Sequence, residues 1–286
     1  MQEIITSIKN EKLRNVTLLQ KKKKAREEQG LFVTEGTRIF EDALKSAAES
    51  IEQIFISESF SKSPEWNRLT KSPEWIKFTK SSEWSGNAQK TKPSGNSTGK
   101  NGSGIFTVAD DVFGKICETV TPQGILCVIR KKKYELGDLS IEKLLLLENI
   151  QDPGNLGTMI RTAEAAGITG VIMSSDTVEI YSPKVTRSTM GSIFRVPFLY
   201  TDDICDTIDS LKDRNVTVYG AYLRNGRPFN TIRYQQPCAV LIGNEGNGIS
   251  DRAIERVSER VFIPMCGGTE SLNAAVAAAL IMYQWM

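Results

Sequence analysis

A run of leucines ends in a polar loop and then in a helix-forming segment in 143-KLLLLENIQDPGNLGTMIRTAEAAG-167. Four consecutive leucines predict a strand that is buried on both faces. Asn, Asp, Pro and Gly interrupt the strand, and the Ala-rich segment from about Leu156 to Ala166 predicts a helix. Asn155 can cap this helix and Gly167 can end it. The stretch is therefore a strand, loop and helix of the kind from which parallel sheets are built.

The alternation of strands and helices continues to the end of the chain. Further strands are predicted at 169–174, 194–200, 216–223, 238–243 and 260–265. Helices are predicted near 183–193, at 203–214, from Asp251, and at 271–285. This pattern predicts an α/β fold with a mainly parallel sheet and helices on both faces. In such sheets, ligands bind at the carboxyl ends of the strands.

The first 130 residues predict a smaller α/β domain, and a basic linker at 131–140 separates it from the second domain at 141–286. A helix from Lys9 to Gln29 precedes a strand at 31–36, a helix at 37–50 and a strand at 51–57. The pattern resumes after Gly104 with a strand, a helix near 110–120 and a strand at 124–130. We therefore expect two domains with separate cores.

Residues 61–103 interrupt this first domain and become rich in Ser, Lys, Gly, Asn and Thr. The motif Lys-Ser-Pro/Ser-Glu-Trp occurs three times with a period of nine, and it ends at Trp66, Trp75 and Trp84. These tryptophans could stack on single-stranded bases. They could equally belong to a duplicated linker without a role of its own, which is the interpretation we favour. We expect a flexible insertion, at least in its second half.

Composition excludes several classes of protein and of site. The chain of 286 residues is 40% hydrophobic and 24% charged, which is ordinary for a globular protein. It contains no histidine, so catalytic triads with histidine and metal sites with histidine ligands are excluded. Its five cysteines form no Cys-x-x-Cys pair, so we expect reduced thiols and no metal site. The absence of a long apolar run predicts a cytoplasmic protein with no membrane segment.

Three loops at predicted strand ends carry the candidate functional residues. In the first loop, Arg161 follows Gly157 by about one helical turn, so its side chain can point back toward the loop. The second loop, 241-LIGNEGNGIS-250, flanks one carboxylate with three glycines, which permit close approach of a ligand to the backbone. The third, 263-IPMCGGTESLNAAVAAA-279, contains two candidate helix caps, Ser271 and Asn273. Alone, each loop would also suit an ordinary connection or a solvated surface.

Two other kinds of site find little support in these loops. No Gly-Lys-Ser/Thr phosphate loop and no Gly-x-Gly-x-x-Gly dinucleotide turn is present, which argues against an adenine-nucleotide enzyme of the common α/β types. Cys266 could serve as a nucleophile, but the sequence offers no partner base, so a small neutral thiol is the better interpretation.

In combination, the three loops resemble the signature motifs of the SpoU (TrmH) RNA ribose 2′-O-methyltransferases of the SPOUT superfamily. The matching residues are Asn155-x-Gly157-x-x-x-Arg161, then 243-GNEGNGIS-250, and then 263-IPM-265 with 270-ESLNAAVAAA-279. The resemblance covers residues 141–286. It implies a deep trefoil knot in the parallel sheet, S-adenosylmethionine as cofactor and a homodimer through the C-terminal domain. The first 130 residues are similar in layout to the RNA substrate-binding domain that often precedes this fold, although the insertion departs from that pattern.

The resemblance also implies roles for residues. The implied catalytic group is Asn155, Arg161, Glu245, Ser271 and Asn273. The implied cofactor-binding group is Gly243, Asn244, Gly246, Ile263, Met265, Ser271 and Leu272. The family assigns removal of the hydroxyl proton to the arginine, but a guanidinium is a poor base at neutral pH. We therefore expect Arg161 to orient the RNA, and the proton to pass to Glu245 or to water.

The charge distribution adds a candidate RNA contact. Residues 1–30 contain eight Lys and Arg residues against four Asp and Glu residues. We expect Lys21, Lys22, Lys23, Lys24 and Arg38 to contact RNA phosphates, although a solvated helix end would look the same. Ribosomal RNA is the favoured substrate and transfer RNA the alternative. A catalytically silent RNA-binding protein of the same fold is a further alternative, against which the complete set of motif residues argues.

Overall fold

The computed structural model describes residues 4–81 and 104–285. The chain divides into two compact units, one of Met1–Lys132 with Tyr181–Pro183, the other of Lys133–Ile180 with Lys184–Met286. The functional domain boundaries expected near residues 130 and 141 stay a prediction. Among the described helices, none is long and apolar enough to cross a membrane.

The described strands of the first unit form one mixed sheet. They are β1 (Ile4–Ile5), β2 (Leu31–Glu35), β3 (Ile51–Ser57), β4 (Gly104–Val108) and β5 (Ile125–Arg130). Their order is β1-β4-β3-β5-β2, with β4 parallel to its two neighbours and β5 antiparallel to its own. The helices are α1 (Glu11–Lys21), α2 (Lys23–Gln29), α3 (Thr37–Ser46), α4 (Glu58–Ser61), α5 (Pro64–Leu69), α6 (Pro73–Lys80) and α7 (Asp110–Ile116).

The single helix expected from Lys9 to Gln29 is interrupted at Lys22, whose backbone is extended. The run of lysines supplies no apolar residue that could continue the buried stripe of α1. The end of α1 is instead stabilised by Arg26, whose guanidinium donates to the carbonyl oxygens of Leu19 at 2.6 Å and Gln20 at 2.9 Å. Such side-chain donors satisfy the carbonyl groups that a helix leaves unpaired at its C-terminus.

The first two Trp repeats form packed helices and thus differ from the linker that we expected. Ser63 and Ser72 cap α5 and α6 by accepting from the amides of Trp66 and Trp75, and proline opens each helix. Trp75 is buried, with 7% of the residue exposed. Its ring centroid lies 5.2 Å from that of Trp66 and 6.0 Å from that of Phe40. Aromatic burial therefore holds these helices in place.

The rest of the insertion, residues 82–103 with the remainder of the third repeat and Trp84, lies outside the described residues. The flexibility that we expected there therefore stays a prediction, as does stacking of the tryptophans on RNA bases.

The described strands of the second unit form a parallel sheet. They are β6 (Lys143–Leu147), β7 (Gly170–Ser174), β8 (Phe198–Thr201), β9 (Thr217–Ala221), β10 (Arg227–Pro228), β11 (Cys238–Ile242) and β12 (Glu259–Phe262). Their order is β10-β12-β9-β11-β6-β7-β8, and every pair is parallel. The helices are α8 (Pro153–Ala165), α9 (Pro183–Ser188), α10 (Ile204–Asp213), α11 (Asp251–Ile254) and α12 (Ala274–Tyr283).

The parallel sheet confirms the α/β prediction, whereas the trefoil knot stays a prediction. The central strands β6, β7 and β11 are almost wholly buried, as their unbroken apolar sequences require. One strand begins later than expected, at Phe198, because Ser192–Phe194 form a turn of 3₁₀ helix. The order places β11 beside β6, so loops that are far apart in the sequence follow neighbouring strands.

Candidate active site

Two of the predicted loops begin side by side at one edge of the parallel sheet. Leu147, the last residue of β6, pairs with Ile242, the last residue of β11. The loop after β6 with the first residues of α8 (148–155, together called the first loop) and the loop after β11 (243–250, the glycine loop) therefore start as neighbours. This is the sheet edge at which ligands bind in parallel α/β folds.

The carboxylate of Glu245, in the glycine loop, binds the first loop. Its Oε1 accepts from the Asp152 amide and from Asn155 Nδ2, both at 3.0 Å, and its Oε2 accepts from the Gln151 amide at 3.1 Å. Partial burial favours the neutral acid, but the hydrogen bonds from Asn155, Asp152 and Gln151 outweigh it and lower the pKa of Glu245. The ionised carboxylate thus fixes one loop against the other.

Asn155 links the first loop to the segment before α12. The cap of α8 is Asp152, which accepts from the Asn155 amide at 2.8 Å, so our assignment of Asn155 as the cap is wrong. The helix begins earlier than expected because Pro153 opens it. The Asn155 side chain is left free to accept from Asn273 Nδ2 at 2.9 Å. Asn273 in turn caps α12, as one of the two predicted candidates.

The glycine loop is closed by its own hydrogen bonds. The amides of Asn244 and Gly248 donate to each other's carbonyl oxygens at 3.0 and 2.9 Å. Asn244 Oδ1 accepts from the amides of Gly246 and Asn247, each at 2.9 Å. Asn244 Nδ2 donates to the carbonyl of Asn149 in the first loop at 2.7 Å. Asn244 therefore shapes this loop and joins it to its neighbour.

A glycine is required at the start of this loop. A Cβ atom at Gly243 would lie 2.2 Å from the backbone carbon of Gly248 and from the amide nitrogen of Ile249. Backbone atoms cannot yield as a flexible side chain can, so the turn closes only without a side chain here. Gly157 has a similar function in α8, where a Cβ would lie 2.2 Å from Ser188 Cβ.

Sequence reasoning missed Glu148, the first residue after β6. Its carboxylate accepts from Ser250 Oγ at 2.6 Å and from the Ser250 amide at 2.9 Å. Ser250 also caps α11, so Glu148 anchors the far end of the glycine loop. A carboxylate directly after a buried strand was the available signal, because that position faces the ligand-binding edge.

A cavity of about 480 Å³ opens beside the glycine loop. Its lining includes all seven predicted cofactor residues and the predicted catalytic carboxylate of Glu245; the seven are Gly243, Asn244, Gly246, Ile263, Met265, Ser271 and Leu272. Sequence reasoning missed the segment after β9, from which Tyr222, Leu223 and Arg224 also line the cavity. The carboxyl end of β9 was the available signal for it. Asn155, Arg161 and Asn273 are not among the lining residues.

The predicted RNA contacts are exposed, but their charges are not equally available. Lys23 and Lys24 lie 3.7 and 3.8 Å from Glu27 and Glu28 on the next turn of α2. Among the described residues, Lys21 and Lys22 have no such ion pair. Arg38, on α3, and Arg161, on α8, are exposed as well.

Two family models match the chain. The SpoU rRNA Methylase family matches residues 142–283, and the MRM3-like substrate binding domain matches residues 10–127. The chain is 33% identical over 279 residues to the 23S rRNA (guanosine(2553)-2′-O)-methyltransferase RlmP of Bacillus subtilis (strain 168). This similarity spans 98% of the chain and 97% of that relative.

Solved structures share the fold over nearly the whole chain. An AdoMet-bound rRNA methyltransferase from Sinorhizobium meliloti is 25% identical with a TM-score of 0.79, covering 99% of this chain and 96% of that one. An RNA 2′-O ribose methyltransferase is 26% identical with a TM-score of 0.73, covering 99% of this chain and 97% of that one. The sequence, the fold and the hydrogen bonds that join the first loop to the glycine loop (together, the joined loops) agree. The chain belongs to the SpoU rRNA methylase family.

Proposed function

We propose that this protein transfers the methyl group of S-adenosylmethionine to a ribose 2′-hydroxyl of ribosomal RNA. The observation that carries the proposal is the hydrogen-bonded group of Glu245, Asn155 and Asn273. It joins three sequence-distant loops next to a cavity of about 480 Å³. The similarity to a 23S rRNA 2′-O-methyltransferase along nearly the full length supports the same reaction class.

The residues that line the cavity fit the cofactor. A volume of about 480 Å³ lies within the range of roughly 300–1,000 Å³ that is usual for small-molecule sites. Gly243 lines the cavity, and the absence of a side chain there lets the backbone of Gly248 and Ile249 close the loop beside it. Ile263, Met265 and Leu272 offer apolar surface, and Ser271 offers a hydroxyl. When bound, the cofactor supplies an activated methyl group, so the protein needs mainly to position it.

Glu245 acts in this proposal by holding the first loop. Both of its carboxylate oxygens already accept hydrogen bonds, and its pKa is lowered by these donors despite partial burial. A proton taken up by Glu245 would displace at least one of them. Of the two acceptors that we considered, water therefore suits the hydroxyl proton better than Glu245 does.

Arg161 acts in this proposal as the residue that meets the RNA. It is exposed on α8, whose N-terminus is tied to Glu245 of the glycine loop by the amide of Asp152 and by Asn155 Nδ2. An exposed guanidinium can bind a phosphate through two parallel hydrogen bonds. Such a contact would orient the neighbouring ribose toward the methyl donor, and it would not require the arginine to accept a proton.

A homodimer through α12 is part of the proposal. Val276, Leu280 and Tyr283 are 48%, 41% and 50% exposed and share one face of this helix. An apolar helix face of this kind is typical of an interface between subunits. Sedimentation of the protein should therefore give the mass of a dimer, and a monomer at micromolar concentration would contradict this assignment.

The test of the function is to map the product. The purified protein is incubated with labelled S-adenosylmethionine and with ribosomal or transfer RNA from a strain that lacks the gene. We expect label in ribosomal RNA and one new site that resists alkaline cleavage, because a 2′-O-methyl group blocks attack by that oxygen. Label in transfer RNA would support the alternative substrate, and label confined to bases would overturn the ribose assignment.

A further inference from the structure

Of the described residues that line the cavity beside the glycine loop, one is positively charged, Arg224. Among the described residues that line it, the ionisable acids and bases with formal charge are Arg224, Glu245 and Glu270. Glu245 is already engaged by three donors from the first loop. A ligand that carries a carboxylate would therefore meet one group of opposite charge in this cavity, the guanidinium of Arg224.

The glycine loop itself is poorly suited to bind that carboxylate. Loops of this kind often hold anions with free backbone amides. Here the amides of Asn244, Gly246, Asn247 and Gly248 all donate within the loop. A carboxylate could recruit them only by breaking the bonds that close the turn, so its donor has to come from another segment.

Arg224 is placed to supply that donor. It lies three residues beyond the end of β9 and is exposed. In the part of the chain that the structure describes, it forms no ion pair, whereas Arg227 in the same segment lies 3.4 Å from Glu259. A guanidinium presents a planar pair of donors that matches the two oxygens of a carboxylate.

We propose that Arg224 binds the carboxylate of the amino-acid part of S-adenosylmethionine. This inference rests on the assignment of the cavity as the cofactor site. It adds a binding residue from the segment after β9, outside the three loops that the family resemblance singles out. Arg224 then fixes the amino-acid end of the cofactor while the apolar residues of the third loop contact the remainder.

The proposal is tested by comparing two ligands that differ in the amino-acid part, which bears this carboxylate. S-adenosylhomocysteine carries the amino-acid part, and 5′-methylthioadenosine lacks it. Binding of each is measured by calorimetry to the unaltered protein, to Arg224→Ala, and to the control Arg227→Ala. We expect Arg224→Ala to weaken binding of S-adenosylhomocysteine by about 10- to 100-fold and to leave 5′-methylthioadenosine unchanged, as charge-assisted hydrogen bonds of this type predict.

Each other outcome has a defined meaning. Equal weakening of both ligands by Arg224→Ala would overturn the carboxylate contact and point to a general disturbance of the segment. Unchanged binding of both ligands would also overturn it, as would equal effects of Arg227→Ala and Arg224→Ala. Failure of the unaltered protein to bind either ligand would overturn the cofactor site itself, and hence the proposed function as well.

Discussion

Arg161 is proposed to contact the RNA and not the cofactor, so its substitution should affect methyl transfer without affecting cofactor binding. It is exposed on α8 and does not line the cavity. We expect Arg161→Ala to abolish methyl transfer while the affinity for S-adenosylhomocysteine stays within a few fold. Methyl transfer to RNA and calorimetric binding are measured on the same preparation, with Thr158→Ala on the same helix as the control. A loss of cofactor affinity as large as the loss of activity would contradict the proposal that Arg161 contacts the RNA.

Glu245 is the residue through which pH should act on the joined loops. Its pKa lies below the usual value of 4.5, so its stabilisation of the folded loops is present above that value. The contribution is lost as the pH falls through the lowered pKa of the folded state. A change of pH around neutrality should therefore leave Glu245 ionised. The hydrogen bonds that it accepts from the first loop should weaken only in acid.

The substitution Glu245→Gln replaces one acceptor oxygen with an amide that faces backbone donors. Because a donor of the first loop then faces an amide group instead of a charged oxygen, we expect kcat/KM to fall by about 10- to 100-fold, equivalent to roughly 1–3 kcal/mol. Steady-state kinetics and thermal unfolding measure the effect, with Glu255→Gln at an exposed position as the control. Activity equal to that of the control would show that the three hydrogen bonds do not position the first loop.

At the scale of one element, the glycine loop offers a pair of substitutions with opposite expectations. A Cβ at Gly243 meets backbone atoms at 2.2 Å, whereas a Cβ at Gly246 has its nearest neighbour, Asn244 Oδ1, at an ordinary 3.6 Å. We expect Gly243→Ala to distort the loop, lower the thermal midpoint and remove binding of S-adenosylhomocysteine. Gly246→Ala should leave the thermal midpoint unchanged. Equal midpoints for the two variants would contradict the close backbone packing at Gly243.

At the scale of the whole molecule, RNA affinity should depend on which lysines are removed. Lys23 and Lys24 have carboxylates on the next turn, whereas Lys21 and Lys22 have no ion pair among the described residues. We expect Lys21→Ala with Lys22→Ala to reduce the slope of log K against log salt by about 1.5, since each phosphate contact contributes about 0.7–0.9. The matched control is Lys23→Ala with Lys24→Ala, which should change the slope less.

RNA binding measured at several salt concentrations distinguishes these variants. An equal change in slope for the two pairs would mean that the neighbouring glutamates do not weaken the field of Lys23 and Lys24. No change for either pair would place the RNA contact of the first unit elsewhere. Arg38, the remaining predicted contact, would then be the next residue to test.

Sequence by itself determined the parallel α/β sheet of the second unit, because short unbroken apolar runs such as 144–147 and 239–242 that alternate with helical segments are typical of strands buried on both faces. Spacing of glycines and polar residues also pointed to the three loops. The sequence interpretation nevertheless misplaced some ends of helices and strands. Asp152 rather than Asn155 caps α8, because both residue types suit a cap and only the fold selects one.

Only the tertiary structure decided what the loop residues contact. Hydrogen bonds join Asn155 to Glu245, which is 90 positions away, and to Asn273, which is 118 positions away. The order of the strands brings these residues together, and no local sequence pattern encodes that order. The same holds for Arg224, which carries no motif and lines the cavity because β9 lies beside β11. Residue type and spacing are local properties that a sequence states directly. Which residues become neighbours across a sheet depends on the path of the whole chain, so only the tertiary structure reveals these contacts.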